Sequence, residues 1–355
     1  MSDDELTIMW PPPAAKEKCW AGIARMGGIG DNLVAASVLR PLKRAGFMTE
    51  VISQRPYHVV FENNPHLDRL MARDKDSWPK DHGQWQLWFA DRAKDYDLFA
   101  NLSHTMEHML AFFPGQTAFY WPAQFRRRLA NRSYIEVAHD VLGMPYEFGP
   151  LFFPTEAERE CAIDTKRRIG GKVVGWCISG TRIDKIYPQA PFVIARLIKD
   201  LGVSVVMMGA PGKDYDLAKV AQESVGNQNG TTDGLHFAIS PDAEAPSWPI
   251  RRILTMAAAC DLVIGPDTGP MWGVAFEEVP KIVTLSHASP ENITKHWVNT
   301  TTLHANPGRV PCWPCHQLHD GPETCHPNKN NNGAACISDI SVDAVIQMAA
   351  KLLGT

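Results

Sequence analysis

The sequence predicts an α/β protein built from two doubly wound domains. Its 355 residues are too many for one ordinary core and fit two domains of roughly 150 to 180 residues each. Short apolar runs typical of strands alternate with segments of helical periodicity, which predicts parallel sheets. This alternation occurs twice, with an interruption near residues 150–170. We therefore expect one domain on either side of that interruption.

The first half of the chain begins with a βαβ unit. Residues 20–26 form an apolar run that predicts a buried strand, and the glycine-rich segment 27–31 follows it. Apolar residues then recur at helical spacing up to Gly46, and residues 49–53 predict the next strand. The other elements predicted in this half are a strand at 97–102 and a helix at 134–142.

The second half repeats this order. A helix at 156–169 precedes a strand at 173–178, which a polar loop at 179–185 follows. The other predicted elements are helices at 191–201, 251–260 and 341–353, strands at 203–208, 262–264 and 281–285, and a loop at 266–270 that opens a further helix. The predicted organisation is a disordered N-terminal extension (1–18), a first domain (19–160), a second domain (161–340) with a cysteine-rich segment (306–336), and a terminal helix (341–355).

Composition excludes several classes of protein. Apolar residues make up 45% and charged residues 21%, which is typical of a soluble globular protein. The formal net charge is -4, so no basic excess points to nucleic acid as a partner. The N-terminus lacks the features of a secretory signal, and no apolar run approaches the ~20 residues that cross a bilayer. We expect a cytoplasmic protein, for which a peripheral contact with the inner face of a membrane stays open.

The glycine-rich segment 27–31 is the first candidate site, because ligands of doubly wound sheets bind beyond the carboxyl ends of the strands. Gly28 and Gly30 allow a ligand to approach the backbone closely, although the spacing is not that of the dinucleotide fingerprint. Asp31 opens the following helix and is either a helix cap or a catalytic carboxylate. The two roles can coexist.

Two loops of the second half suit phosphate. Residues 179–185 offer hydroxyls, backbone amides and two cations, which suit a diphosphate; the alternative is a solvated surface loop. Residues 266–270 lead into a helix whose first N–H groups can meet an anion; the alternative is helix capping by Asp267 or Thr268. The presence of three phosphate-compatible loops in one two-domain chain indicates a phosphate-containing ligand more strongly than any one of these loops does.

Two further clusters stand out. Arg126, Arg127 and Arg128 could bind the phosphates of an anionic acceptor, or could form a solvated helix face. Four of the eight cysteines lie within 25 residues, and their Cys-x2-Cys start suits a zinc site. Free or redox-active thiols and a disulfide are the alternatives. The four are Cys312, Cys315, Cys325 and Cys336, with His316, His319 and His326 close enough in sequence to replace one as a ligand.

Three motifs resemble those of glycosyltransferase family 9, the lipopolysaccharide heptosyltransferase family. They are Gly28-Ile29-Gly30-Asp31 with Leu39, Pro41 and Leu42, then the run from Gly180 to Pro188, and then the run from Asp261 to Met271. The segments 64–68 and 96–98 also resemble the family, so that the similarity spans residues 20 to 345. One departure is Trp272-Gly273-Val274, where the family usually has His-Leu-Ala.

This resemblance implies a GT-B fold, in which two Rossmann-like doubly wound domains face each other across a cleft. It implies that Asp31 is the general base and that Gly28, Gly30 and the arginines lie on the acceptor side. It also implies that residues of the second domain bind the nucleotide-sugar donor, which is expected to be ADP-linked. They are Thr181, Lys185, Gly209, Asp214, Asp267, Thr268, Gly269 and Pro270.

The function expected from these residues is inverting transfer of heptose or a similar sugar to a glycan, lipopolysaccharide-type, lipid-linked or protein acceptor. No metal is needed for this chemistry, and the cysteines are expected to hold a structural zinc or, as the resemblance allows, iron. Two alternatives stay open. One is a sugar-nucleotide epimerase or hydrolase of the same fold, and the other is a non-catalytic binding or assembly protein.

Overall fold

A computed structural model describes most of the chain, and the predicted extension at 1–18 lies outside the described residues. The described residues are 19–79, 82–103, 109, 112–180, 182–241, 248–319, 325–331 and 333–355. Within them the strands form one four-stranded and one six-stranded sheet, and all strand pairs are parallel. The predicted α/β class with two doubly wound units is confirmed.

The first domain contains the four-stranded sheet, in the order β3-β2-β1-β4. Its strands are β1 (Cys19–Arg25), β2 (Phe47–Gln54), β3 (Arg69–Arg73) and β4 (Leu98–Asn101). Its helices are α1 (Ile29–Ala36), α2 (Leu39–Arg44), α3 (His82–Arg92), α4 (Ala123–Ala130) and α5 (Tyr134–Leu142). The helix that follows the glycine-rich segment is thus two short helices, and α5 ends as predicted at Gly143, which adopts the left-handed conformation.

The second domain contains the six-stranded sheet, in the order β10-β9-β8-β5-β6-β7. Its strands are β5 (Val173–Cys177), β6 (Ser204–Met208), β7 (Leu235–Phe237), β8 (Leu262–Pro266), β9 (Lys281–Leu285) and β10 (Thr300–His304). Its helices are α6 (Glu156–Ile169), α7 (Ala190–Leu201), α8 (Lys213–Asn229), α9 (Ile250–Ala259), α10 (Gly269–Gly273), α11 (Pro290–Ile293), α12 (Ala335–Ser338) and α13 (Val342–Leu353). The strands β7 and β10 and the helix α8 were not predicted.

The boundary placed at residue 160 falls inside α6. Thr155 begins this helix through a capping box, in which its hydroxyl accepts from the N–H of Glu158 at 3.2 Å and its own N–H donates to the Glu158 carboxylate at 2.7 Å. The same carboxylate accepts 2.7 Å hydrogen bonds from Arg251 of α9. These bonds fix α6 to α9, so we assign the whole helix to the second domain.

The strand orders decide where ligands can bind. In each sheet the order reverses at one place, between β1 and β4 in the first and between β5 and β8 in the second. Loops that leave the carboxyl ends of two such strands diverge and open a crevice. The loops that follow β1, β5 and β8 are the three predicted phosphate-compatible loops. The topology therefore places all three at the reversals.

A shared core joins the domains. Leu33 and Leu39 of the first domain and Val263 and Met271 of the second are fully buried members of one continuous apolar cluster. The short helix α10 packs on α1, so the reversal of one sheet faces that of the other. Among the described helices, none is long and apolar enough to span a bilayer.

Candidate active site

Asp31 lies at the start of α1, in the loop that leaves β1. Its Oδ2 atom accepts a 2.7 Å hydrogen bond from the backbone N–H of Gly28, and its Oδ1 atom lies 2.8 Å from Nη2 of Arg25. A Cβ on Gly27, where φ is +114°, would lie 2.5 Å from Oδ2, so only glycine fits beside this carboxylate. The Asp31 side chain is nevertheless 39% exposed. Asp31 thus caps the helix and still presents its carboxylate to the cleft.

Arg25 is a residue that sequence reasoning missed, because it ends an apolar strand. Its side chain is only 2% exposed, and its Nη1 atom donates a 2.5 Å hydrogen bond to the carbonyl of Leu102. It therefore bridges the loops that follow β1 and β4, the two strands at the reversal of the first sheet. A buried guanidinium in this place fixes the Asp31 carboxylate and keeps its charge compensated.

Lys185 and Asp267 form an ion pair between two loops of the second domain. The Lys185 ammonium donates to Oδ2 of Asp267 at 2.8 Å and to the Asp267 carbonyl at 2.9 Å. The other carboxylate oxygen of Asp267 accepts a 2.7 Å hydrogen bond from Nε1 of Trp272. The side chains of Lys185 and Asp267 are 17% and 14% exposed, so the pair lies at the wall of the cleft.

Charge keeps this pair ionised despite its burial. Burial lowers the pKa of Lys185, but Asp267, with Asp184 and Asp31 behind it, outweighs that effect and raises the pKa. Burial likewise raises the pKa of Asp267, and Lys185 outweighs it, so that the pKa of Asp267 is lowered. Asp31, which belongs to the first domain, has the smallest of these three effects on the pKa of Lys185.

Two glycines permit this close approach of the domains. A Cβ on Gly30 would lie 3.0 Å from Cδ1 of Trp272, and a Cβ on Gly269 would lie 2.6 Å from Cβ of Ile29. A side chain at Gly269 would force α1 and α10 apart, and a side chain at Gly30 would require the Trp272 ring to move by a few tenths of an ångström. The two motif glycines thus bring the start of one helix against the start of the other, which the sequence pattern alone did not indicate.

Thr268 begins α10 directly after the ion-paired Asp267. Its side chain makes no capping bond, and its Oγ1 is buried beside the Cys177 thiol at the end of β5. Contact of this hydroxyl with the donor stays a prediction. Pro270 fills the first turn of α10, as predicted. Thr181, the other predicted donor contact of this type, lies outside the described residues.

Asp214 ties two donor-side loops together. Its Oδ1 atom accepts a hydrogen bond from the hydroxyl of Ser179, and its Oδ2 atom accepts one of 2.8 Å from the N–H of Ala210. A Cβ on Gly209 would lie 2.6 Å from Oδ2, so glycine is required there too. Both oxygens are thus already bonded to the protein, and the contact of Asp214 with a ribose stays a prediction.

The three arginines of α4 do not share one environment. Arg126 donates to the carbonyl of Cys315 at 3.1 Å, and Arg127 donates to those of Pro311 and Pro314 at 2.6 and 3.0 Å. Both therefore hold the cysteine-rich segment against the first domain. Arg128 alone is exposed. The predicted contact of all three arginines with an anionic acceptor remains a prediction. For Arg126 and Arg127, such a contact would compete with their hydrogen bonds to the cysteine-rich segment.

The four clustered cysteines line one cavity of about 210 Å³, together with His319 and His326. This donor set fits a zinc or iron site. Among the described residues, however, no three such donors converge closely enough to hold a metal ion. Sγ of Cys315 lies 3.8 Å from Nε2 of His319. Burial raises the pKa of the thiols, to about 12 for Cys315 and about 11 for Cys325.

A buried polar pair separates this cavity from the cleft. Asp184 accepts a 2.7 Å hydrogen bond from Nδ1 of His287 and a 3.0 Å bond from the hydroxyl of Ser286. Burial raises the pKa of Asp184, but His287 outweighs it and holds the pKa well below its usual range. Asp184 precedes Lys185 directly, so the cavity wall and the cleft wall belong to one short turn. Sequence reasoning assigned no role to either residue of this pair.

Comparison with known proteins supports the fold. No family model matches the chain, and no curated protein matches it. A glycosyl transferase family 9 structure from Veillonella parvula has a TM-score of 0.65 and 16% identity, over 96% of this chain and 99% of that one. The E. coli ADP-heptose lipopolysaccharide heptosyltransferase II has a TM-score of 0.58 and 14% identity, over 94% and 98%.

A third similar structure is TibC from enterotoxigenic E. coli, described as an iron-containing dodecameric glycosyltransferase. Its TM-score is 0.58 at 13% identity, over 94% of this chain and 76% of that one. Identities this low establish the architecture alone, and the three structures agree on it. The chain therefore has the GT-B fold of the family 9 glycosyltransferases and heptosyltransferases, as the three sequence motifs predicted.

Proposed function

We propose that the protein is an inverting glycosyltransferase, which moves heptose or a similar sugar from an ADP-linked donor. The acceptor is a glycan of lipopolysaccharide type, a lipid-linked glycan or a protein. One observation carries this proposal. The Asp31 carboxylate lies in the first turn of α1 of the first domain, the Lys185–Asp267 ion pair lies directly before α10 of the second, and these two helices pack against each other. A base and a phosphate-binding cation on opposite walls of one cleft are what transfer from a nucleotide diphosphate requires.

The first step assigned to the chain is proton removal. A carboxylate oxygen of Asp31 takes the proton of an acceptor hydroxyl, and that oxygen attacks the anomeric carbon of the donor sugar. The bond between this carbon and the diphosphate breaks on the opposite face, which inverts the configuration. The Arg25 guanidinium holds the carboxylate in place through its 2.8 Å contact.

The second step is stabilisation of the leaving diphosphate. An ammonium has three N–H donors, and Asp267 occupies two of those of Lys185. The third remains for a phosphate oxygen. This contact acts on charge that builds up as the bond breaks, and interactions of that kind accelerate transfer.

We also propose that Cys312, Cys315, Cys325 and Cys336 hold one structural zinc or iron ion. Their common cavity, the two histidines beside it and the reported iron of TibC support this assignment. Because no three donors converge among the described residues, the side chains would have to close in on the ion. Loss of the thiol protons accompanies such binding. Four protein ligands leave no open position, so the ion takes no part in the transfer.

A panel of nucleotide sugars tests the proposed function. A ligand at about 100 times its dissociation constant stabilises the folded protein by roughly 2.7 kcal/mol, which thermal unfolding detects. We expect stabilisation by ADP and an ADP-sugar and little by other diphosphate sugars. Nucleotide release should then be slow without acceptor and fast with it. Rapid release without any acceptor would identify a hydrolase, and no stabilisation by any nucleotide would identify a binding protein.

A further inference from the structure

The outward face of α4 exposes large apolar side chains. Phe125 and Leu129 are 51% and 48% exposed, and Trp121, directly before the helix, is 39% exposed. Residues four apart lie one above the other on a helix, so Phe125 and Leu129 form one stripe, and Trp121 directly precedes the helix in sequence. Tyr120, which is 72% exposed, lies at the end of the stripe. Four of the nine large apolar side chains exposed among the described residues thus fall within ten residues.

Arg128 is the charged residue of this face. It lies on the helix between Phe125 and Leu129, and it makes no ion pair among the described residues. Residues 112–135 contain three more arginines and no acidic residue. Arg126 and Arg127 bond the cysteine-rich segment, and Arg132, after the helix, is 2.9 Å from Asp140 of α5. The face is therefore apolar and carries one unpaired positive charge.

The opposite side of α4 is fully engaged. Arg126 and Arg127 donate to carbonyls of the cysteine-rich segment, and Ala130 is completely buried. The helix is thus fixed by one side and leaves its other side available.

We propose that the face formed by Tyr120, Trp121, Phe125, Arg128 and Leu129 docks on the surface of an anionic lipid bilayer. Aromatic and aliphatic side chains enter the headgroup region, and arginines pair with anionic lipids. A second copy of the chain fits less well. Two-fold symmetry would oppose this basic face to itself and bring Arg128 of one copy toward Arg128 of the other.

Flotation with lipid vesicles tests this proposal on the full-length protein. We expect wild type to float with vesicles of phosphatidylcholine and phosphatidylglycerol, and much less with phosphatidylcholine alone. The Phe125→Gln/Leu129→Gln variant should bind at least about tenfold more weakly, because its apolar contact is lost. Arg128→Gln should bind about fivefold more weakly. Glutamine preserves helix propensity, so α4 should still form.

Phe192→Gln is the matched control, because this phenylalanine is 54% exposed on α7 of the other domain. It should bind vesicles like wild type. Thermal unfolding of all variants should match wild type, since the substituted side chains are exposed. The proposal is overturned if wild type ignores anionic vesicles or if the double glutamine variant binds as well as wild type. A third result would also overturn the proposal: wild type does not bind vesicles, sedimentation shows that it is a dimer, and among the variants only the double glutamine variant is a monomer.

Discussion

Replacement of Lys185 with alanine separates its two roles, as a phosphate contact and as the partner of Asp267. The ammonium uses two of its donors on Asp267 and keeps one for the donor diphosphate. A hydrogen bond to a charged group contributes about 1.5–3 kcal/mol, which corresponds to roughly 10- to 150-fold in affinity. We expect Lys185→Ala to lower the affinity for ADP by that factor and to leave the affinity for adenosine unchanged.

The same substitution should destabilise the fold, because Asp267 would keep a buried charge with one remaining donor, Trp272. Loss of one partner of a buried pair costs about 3–5 kcal/mol; we expect the lower end, since Trp272 remains. The double variant Lys185→Ala/Asp267→Asn removes both charges. It should regain most of the stability and still bind ADP as weakly as the single variant. This double variant is the control for folding.

The pH dependence follows from the two pKa directions. In wild type the pKa of Asp267 is lowered, so its contribution is present above its unfolded pKa of about 4 and is lost as the pH falls further. The pKa of Lys185 is raised, so its contribution is present below about 10.5 and is lost above its folded value. Without Lys185, burial alone raises the pKa of Asp267. The stability deficit of the variant should therefore be largest at neutral pH and shrink toward pH 4.

Calorimetry with ADP and adenosine measures the first role, and denaturant unfolding between pH 4 and pH 8 measures the second. Equal losses for ADP and adenosine would refute the phosphate contact. A single variant as stable as wild type at neutral pH would refute the buried ion pair. Because the double variant removes the stability effect, the two results can be read separately.

One further prediction concerns the wall of the cleft, and another concerns the cavity lined by the four clustered cysteines. Trp272→Phe removes the 2.7 Å bond to Asp267 but keeps an aromatic ring, so we expect transfer to slow by about tenfold while the affinity for adenosine stays unchanged; unchanged transfer would count against this bond. Protein purified without added metal should contain about one equivalent of zinc or iron by elemental analysis, and Cys312→Ser and Cys325→Ser should lose it. The exposed Cys161→Ser is the control, and less than about 0.2 equivalents in wild type would contradict the metal site.

The sequence predicted the fold wherever one local signal was strong. Apolar runs bounded by glycine or proline gave β1, β5, β8 and β9, and the loops after three of these strands lie at the reversals of strand order. The weaker elements were missed. Strand β7 has only three residues, all half-buried, and α8 has the low mean apolar character of a solvated helix.

Sequence patterns predicted site residues within single loops but not the contacts between loops. Asp31 and Lys185 were found because each follows a strand, but the partners that hold them come from distant segments. Asp267 lies 82 residues after Lys185, and the carbonyl that Arg25 binds lies 77 residues away. Arg127 likewise contacts carbonyls more than 180 residues away. A local pattern carries no information on such pairs, because tertiary packing decides them.

The central claim is that Asp31 removes the acceptor proton in a cleft whose other wall binds the donor diphosphate. The most direct test compares wild type with Asp31→Asn, using a labelled ADP-sugar that thermal unfolding has shown to bind and an acceptor that wild type glycosylates. Asparagine keeps the shape and can still cap α1, since its carbonyl oxygen can accept from the N–H of Gly28. We expect transfer to fall by about 10²- to 10⁴-fold while the dissociation constant of ADP stays unchanged. Near-full turnover by the asparagine variant would contradict the central claim and would leave Asp31 as a helix cap only.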